Sequence, residues 1–391
     1  MKGRSIVLYC GLLMSISAFS VDITLPSFPA MARDLAAPFE QVQWTITVYM
    51  VGAGFGQLLW GSLSDRFGRR PALAAGLGLF LLGCLVSALS PSAPLLLISR
   101  LLQGFGAAAA IVASRAVIRD LHSGEELARN LALATAIFAI GPIMAPLLGA
   151  GLAALAGWRF IFLALAIFAG GLLVALLRLP ETLAAPSLNA MRPRVFAERT
   201  ARLFRNAQSR FFLLLSALVM SSMLLILAVA PRIYDVSFSI TGVVFAFYFA
   251  LHGVGIVIGQ MANRRFIKRL GVVDAMIAAN VVLVLSSALM LVFALAGAMS
   301  APVMTALIVL FATSYLIVFS NAAAMVLDPH GCIAGFAAAF YGFTSQIGSA
   351  VIVSLLVWFV GDGLAAFAGS LLAICLLCLV CLLAWRMDRP A

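Results

Sequence analysis

The chain has 391 residues, 64% of them hydrophobic and only 10% charged, with 25 Lys and Arg against 14 Asp and Glu. A soluble fold of this length cannot bury so much apolar surface, which excludes a soluble enzyme or binding module and makes the bilayer the solvent. The net charge of +11 is explained by where the arginines fall along the spans, so a nucleic-acid partner is not needed.

Crossing ~30 Å of hydrocarbon at ~1.5 Å per residue takes about 20 apolar residues. Twelve such spans are predicted, near 6–29, 42–64, 71–90, 94–116, 128–153, 159–178, 211–231, 240–262, 273–296, 301–323, 333–359 and 363–385. The first follows Lys2 and Arg4 and passes Ser17-Ala18-Phe19-Ser20, a pattern close to a secretory signal. Its apolar run continues through Asp22 to Pro29, however, and the topology requires it as a span.

Between the second and third spans, Gly61 to Arg70 reads GSLSDRFGRR, a short basic turn carrying Asp65, Arg66, Gly68, Arg69 and Arg70. A degraded copy, Gly259, Asn263, Arg264, Arg265, Lys268 and Arg269, begins 198 residues later. One such turn per half predicts two pseudo-symmetric six-helix bundles, residues 1–178 and 211–391, joined by a cytoplasmic linker over 179–210. Pro193 to Arg205 within that linker reads as a basic amphipathic helix on the inner leaflet.

With both termini inside, twenty-one of the 25 Lys and Arg lie in inner segments. Arg33, Arg159 and Arg232 fall in outer loops and Arg100 inside the fourth span, the bias expected of a multi-pass bacterial inner-membrane protein. Cys375, Cys378 and Cys381 recur at i, i+3, i+6 without a histidine or acidic neighbour, so they read as packing residues, with neither a metal site nor a disulfide framework. Paired acids, an H-E-x-x-H and a Ser or Cys beside a His are missing from every span, so an intramembrane enzyme is not expected.

Asp22 is the one acid well inside a span, and Arg100 the one base at comparable depth. Helical rise puts both roughly 9–10 Å below the outer surface. Their matched depth leaves two readings: a buried ion pair that fixes packing, or a titratable site in which Arg100 counters the desolvation of Asp22 and leaves it ready to exchange a proton.

Asp22-Ile-Thr-Leu-Pro26, Gly56-Gln57-Leu-Leu-Trp-Gly61 leading into Asp65-Arg66-Phe-Gly68-Arg69-Arg70, and Arg100-Leu-Leu-Gln103-Gly104 together resemble the major facilitator superfamily. More narrowly they resemble the bicyclomycin and chloramphenicol resistance (Bcr/CflA) branch of its drug:proton antiporters. Arg119-Asp120, Gly141-Pro142 with Pro146 and Gly149, Gly157-Trp158-Arg159 and Pro180-Glu181-Thr182 extend the likeness over nearly the whole chain.

The resemblance implies a gating role for the Gly61 to Arg70 turn, with Asp65 meeting the N-terminal end of span eleven near Gly331 to Ala334. It implies proton coupling at Arg100 and an antiport-type element at Gly141, Pro142, Pro146 and Gly149, whose residues by themselves show a kinked, closely packed helix. The implied substrate cavity takes Tyr49, Gln103, Phe138, Tyr248, His252, Tyr315, Asn321, Phe340, Tyr341 and Gln346. His252, where the branch carries asparagine, reads either as a packing residue or as a second protonatable group, and Arg232 after Pro231 is a second departure.

The expected activity is proton-coupled export of small lipophilic or amphipathic drug-like compounds by alternating access, with the proton as coupling ion and no other cofactor. A monomer in the lipid bilayer is expected. The alternative is an MFS transporter of a physiological solute such as a small peptide or amino acid derivative, which the same fold would serve.

Overall fold

The computed structural model describes residues 3–187, 191–360 and 363–387. Lys2 and the linker residues 188–190 lie outside that description. Among the described residues the regular structure is helical throughout. Eleven stretches are long and apolar enough to cross a membrane, and one of them, Ala301–Val357, runs through two helices, so the crossings number twelve.

The N-terminal crossings are α1 (Arg4–Asp22) continued by α2 (Phe28–Asp34), then α3 (Phe39–Phe67), α4 (Arg69–Ala88), α5 (Ala93–Leu121), α6 (Gly124–Ala156) and α7 (Trp158–Leu176). The linker carries α8 (Pro193–Arg205). The C-terminal crossings are α9 (Ala207–Phe238), α10 (Gly242–Leu270), α11 (Val272–Leu295), α12 (Ala301–Leu327), α13 (Ala334–Val360) and α14 (Leu364–Met387). Most helices outrun the predicted spans because their polar ends remain helical beyond the hydrocarbon.

The first crossing departs from expectation by breaking. α1 ends at Asp22, a 3-10 turn covers Leu25–Ser27, and α2 resumes at Phe28. Pro26 has no N–H to donate and its ring crowds the carbonyl of the residue four back, which is Asp22. Pro29 then sits in the first turn of α2, where a proline costs nothing.

Within each half one device brings helices together. On α3, a Cβ on Gly52 or Gly56 would lie 2.2 Å from the Leu101 carbonyl oxygen or 2.7 Å from that of Phe105 on α5. On α10, a Cβ on Gly255 or Gly259 would lie 2.4 Å from the Val309 oxygen or 2.1 Å from that of Thr313 on α12. Glycine pairs four apart thus seat carbonyls four apart in both halves, which is the small-residue contact that membrane helices use in place of a hydrophobic driving force. Gly52→Ala is expected to cost about 1–3 kcal/mol through overpacking, read as a lower unfolding midpoint in detergent. Gly78→Ala is the control, since nothing lies within 4 Å of its Cβ direction; equal midpoints for the two would refute the close approach.

The halves touch at both ends. At one end Gln43 Nε2 donates to the Ala228 carbonyl at 2.9 Å, and the Arg232 guanidinium lies 5.1 Å over the Phe39 ring. Toward the other end α3 runs along α13, with the Phe55 and Phe343 rings 5.4 Å apart and Gly61 facing Ala339. α6 packs on α10 across the same seam.

Candidate transport site

Arg100 is fully buried. Its Nη1 donates to Ser20 Oγ at 3.0 Å and to Gln103 Oε1 at 2.6 Å, its Nε to the Thr45 carbonyl at 3.4 Å, and the guanidinium lies 4.6 Å over the Tyr49 ring. The cluster is therefore one cation held by neutral oxygens and a π face. Nη2 has no hydrogen-bond partner.

Asp22 does not pair with Arg100, contrary to the expectation from matched depth. Among the described residues no hydrogen bond or ion pair reaches its carboxylate, although the residue is only 5% exposed. The reason is helical phase: Ser20 faces Arg100, and Asp22 comes two residues later, ~200° further round α1. Asp22 instead follows Ala18 by one turn, and Ala18 packs against Gly141 of α6. Ser20, Thr45 and Ser17, which holds the Tyr49 hydroxyl at 3.3 Å, are members of the cluster that sequence reasoning missed. Their signal was the i, i+3 spacing of Ser17 and Ser20 on one face of α1.

The Gly141-Pro142 element touches both halves at once. A Cβ on Gly149 would lie 1.8 Å from the Ile23 carbonyl, so α6 fits against the broken segment of the first crossing. A Cβ on Gly253 of α10 would meet the Pro142 backbone at 2.8 Å. Pro142 and Pro146 both lie inside α6 without ending it. Asp22 thus sits where α1 breaks, between Ala18 and Ile23, which both abut α6, and α6 in turn packs on the other half.

In the Gly61 to Arg70 turn Asp65 bonds Arg69 at 2.6 Å rather than the start of α13. Arg69 also donates to Ser64 Oγ at 2.7 Å and to Asp120 at 2.8 Å, and so ties the ends of α3, α4 and α5. It is Arg119, not Asp65, that lies at the start of α13, 3.3 Å from where a Gly335 Cβ would be. Gly68 has φ of 105°, a region that L side chains rarely adopt, and its Cβ would strike Glu181 Oε2 at 2.6 Å, so the motif's glycine is required twice over. Arg66 and Arg70 are half-buried or exposed at the inner surface, with Arg66 over the Phe67 ring at 5.2 Å.

Glu181 completes this network from the linker. Burial pushes its carboxyl up, but the backbone N–H groups of Leu183, Arg69, Arg70 and Thr182 outweigh that and hold it below the ordinary carboxylate range. A lowered folded pKa stabilises above the unfolded value of ~4.3 and is lost as pH falls through the folded one, so this tie is complete at neutral pH. Glu181→Gln exchanges charged for neutral bonds, and amide exchange at Arg69 and Arg70 should rise about tenfold at pH 7. Unchanged exchange would remove Glu181 from the turn. Asp120 and Glu181 were legible as acids at the inner ends of two spans beside a basic turn.

Over residues 10–353 the chain matches the Major Facilitator Superfamily. The chain belongs to the major facilitator superfamily. It is 34% identical over 288 residues to YdgK of Bacillus subtilis (strain 168), an uncharacterized MFS-type transporter, covering 71% of each chain. It is 29% identical over 268 residues to a bicyclomycin resistance protein homolog of Haemophilus influenzae, covering 68% of this chain and 67% of that one. Over smaller shares of its length, 38% and 46%, it is similar to a chloramphenicol resistance protein of Pseudomonas aeruginosa and to multidrug resistance protein D of Escherichia coli. A D-xylose-proton symporter shares its fold with a TM-score of 0.77 at 15% identity, covering 96% of each chain.

Several residues assigned to a superfamily cavity lie elsewhere. Gln103 is fully buried within its own half, bonded to Arg100, Cys84 and Ser87, because α5 turns that face to α4. Asn321 exchanges amide hydrogen bonds of 3.0 and 3.1 Å with Asn263, so it ties α12 to α10. Phe340 packs 5.7 Å from Phe204 of α8, at the inner face. α8 itself therefore lays Phe196 and Phe204 on α13, with Phe196 and Phe336 5.4 Å apart, rather than on lipid alone.

His252 is buried, bonds through Nδ1 to the Phe249 carbonyl of its own helix, and lies 4.3 Å from the Phe249 ring. Tyr315 stacks on Phe319 at 5.5 Å and reaches Met220 Sδ at 3.1 Å, while Tyr341 donates to the Phe319 carbonyl at 2.6 Å. Tyr248 lies 6.0 Å from Tyr234, Phe138 is half-buried on α6, and Gln346 stands beside Gly54 with Oε1 unpartnered. These residues come from four crossings, α6, α10, α12 and α13, and present mostly aromatic faces with few polar groups.

Proposed function

We propose that the protein is a proton-coupled multidrug efflux antiporter that exports small lipophilic or amphipathic compounds across the bacterial inner membrane by alternating access. Relatives named for bicyclomycin and multidrug resistance support drug efflux. The observation that carries coupling is Asp22: a buried carboxylate without a hydrogen bond or ion pair among the described residues, at a break in the first crossing next to the other half. A charge at such depth is costly, so a carboxyl there favours a proton when sealed and releases it when access to water opens.

Six crossings per half over 1–178 and 211–391, both termini in the cytoplasm, and a monomer acting as a transporter rather than an enzyme complete the reading. Arg100 then acts as a fixed cation whose field is felt by the region around Asp22 without contacting it. The test is chloramphenicol accumulation in a pump-deficient host expressing the chain, with and without an uncoupler. Lower accumulation that the uncoupler abolishes supports proton-driven export; higher accumulation supports uptake of a physiological solute.

A further inference from the structure

Arg115 and Arg119 stand one turn apart on the same side of α5, both exposed, and neither has a hydrogen bond, ion pair or ring contact among the described residues. Like charges at i, i+4 repel. The acid next in sequence, Asp120, is already bound to Arg69 and Thr182. Among the described residues the pair therefore has no ion-pair partner.

Their side of α5 looks toward the other half. Arg119 Nη1 lies 3.3 Å from where a Gly335 Cβ would be, at the start of α13. Val112, one turn deeper than Arg115, lies 3.9 Å from the Cβ direction of Gly61, which also faces Ala339 of α13. Arg115 is thus on the inner seam, ~9 Å of helical rise from the end of α5. A third cation, Arg199 of α8, lies 5.9 Å over the ring of Phe336, the residue after Gly335.

From that point rings run along α13. Phe336 and Phe340 are covered by Phe196 and Phe204 of α8, and beyond them the half-buried Phe343 meets the exposed ring of Phe55 of α3 at 5.4 Å. A guanidinium fork matches a carboxylate or phosphate in plane and charge, and ring edges and faces suit a flat aromatic body. We infer that Arg115 and Arg119 hold the oxyanionic group of an aromatic organic anion entering from the inner side. This names the substrate class of the export proposed above and rests on that reading.

Fluorescein, with a free carboxylate, and rhodamine 6G, a related ring system with its carboxyl esterified and a positive charge, are the probes. Each is titrated by fluorescence polarisation against the purified full-length protein in detergent. The wild type should bind fluorescein more tightly than rhodamine 6G, with the preference shrinking at high salt. Arg115→Gln and Arg119→Gln should each weaken fluorescein about tenfold, the scale of one charged hydrogen bond, while Arg115→Lys and Arg119→Lys retain most of the affinity. An unfolding midpoint matching wild type qualifies each variant, and the Lys and Gln forms at two positions guard against one failing to fold. Unchanged fluorescein affinity in the Gln variants, or a wild-type preference for rhodamine 6G, overturns the inference. Energised chloramphenicol export by the wild type, measured alongside, separates the outcomes: export without fluorescein preference removes only the substrate class, and loss of export removes the efflux reading itself.

Discussion

Asp22→Asn is expected to abolish uncoupler-sensitive export while leaving a folded, inserted protein. Asparagine fixes the neutral form in the same volume, and among the described residues no ion pair or hydrogen bond depends on the carboxylate. Removing a paired buried acid strands its partner at a cost of several kcal/mol; here no partner is stranded, so stability should hold or rise. That separation makes the variant informative. Loss of export with an unchanged unfolding midpoint assigns Asp22 to coupling, whereas full uncoupler-sensitive export would remove it. Restored export in Asp22→Glu would add that a titrating group at this position is what matters.

Arg100→Ala is expected to damage both folding and transport. Truncation removes the largest fully buried side chain and leaves Ser20, Gln103 and the Thr45 carbonyl without their donor. Each orphaned polar group costs roughly 1–3 kcal/mol, and a cavity opens beneath Tyr49 and Phe162, whose ring lies 6.0 Å away. The variant should accumulate poorly, and what folds should unfold at a lower temperature. Arg100→Lys keeps the charge but cannot serve both Ser20 and the Thr45 carbonyl in one plane, so an intermediate midpoint is expected. Equal midpoints for wild type and Arg100→Ala would contradict the described cluster.

Asp22 and Arg100 together mark the boundary of what one sequence discloses. Their depth was read from helical rise and both are buried in the fold, but pairing depends on azimuth, and azimuth on which helices flank α1. Those neighbours are set by long-range packing between glycine and carbonyl rows, as on α3 and α5, which no local pattern encodes. The twelve crossings were legible because the bilayer fixes their length and apolarity. The break after Asp22 was signalled by Pro26 and Pro29 yet lay within a continuous apolar run.

The gating turn divides in the same way. Gly68 was named only as a member of the short basic turn, and its φ of 105° shows the backbone reason for a glycine there. Asp65 was assigned across the seam, but an arginine four residues on supplies a nearer partner, and the acids that complete the network arrive from α5 and the linker. Asn321 and Phe340 were taken as cavity residues on residue type alone. One is drawn off by Asn263 and the other by α8, contacts between segments 58 and 136 residues apart.

Proton movement driven by substrate is the central claim. Purified protein is reconstituted in proteoliposomes holding a pH-sensitive dye, a proton gradient is imposed, and chloramphenicol is added. Dissipation of the gradient on substrate addition, present in wild type and lost in Asp22→Asn, is the predicted result. Substrate movement with no proton flux, or equal dissipation in both proteins, would contradict it.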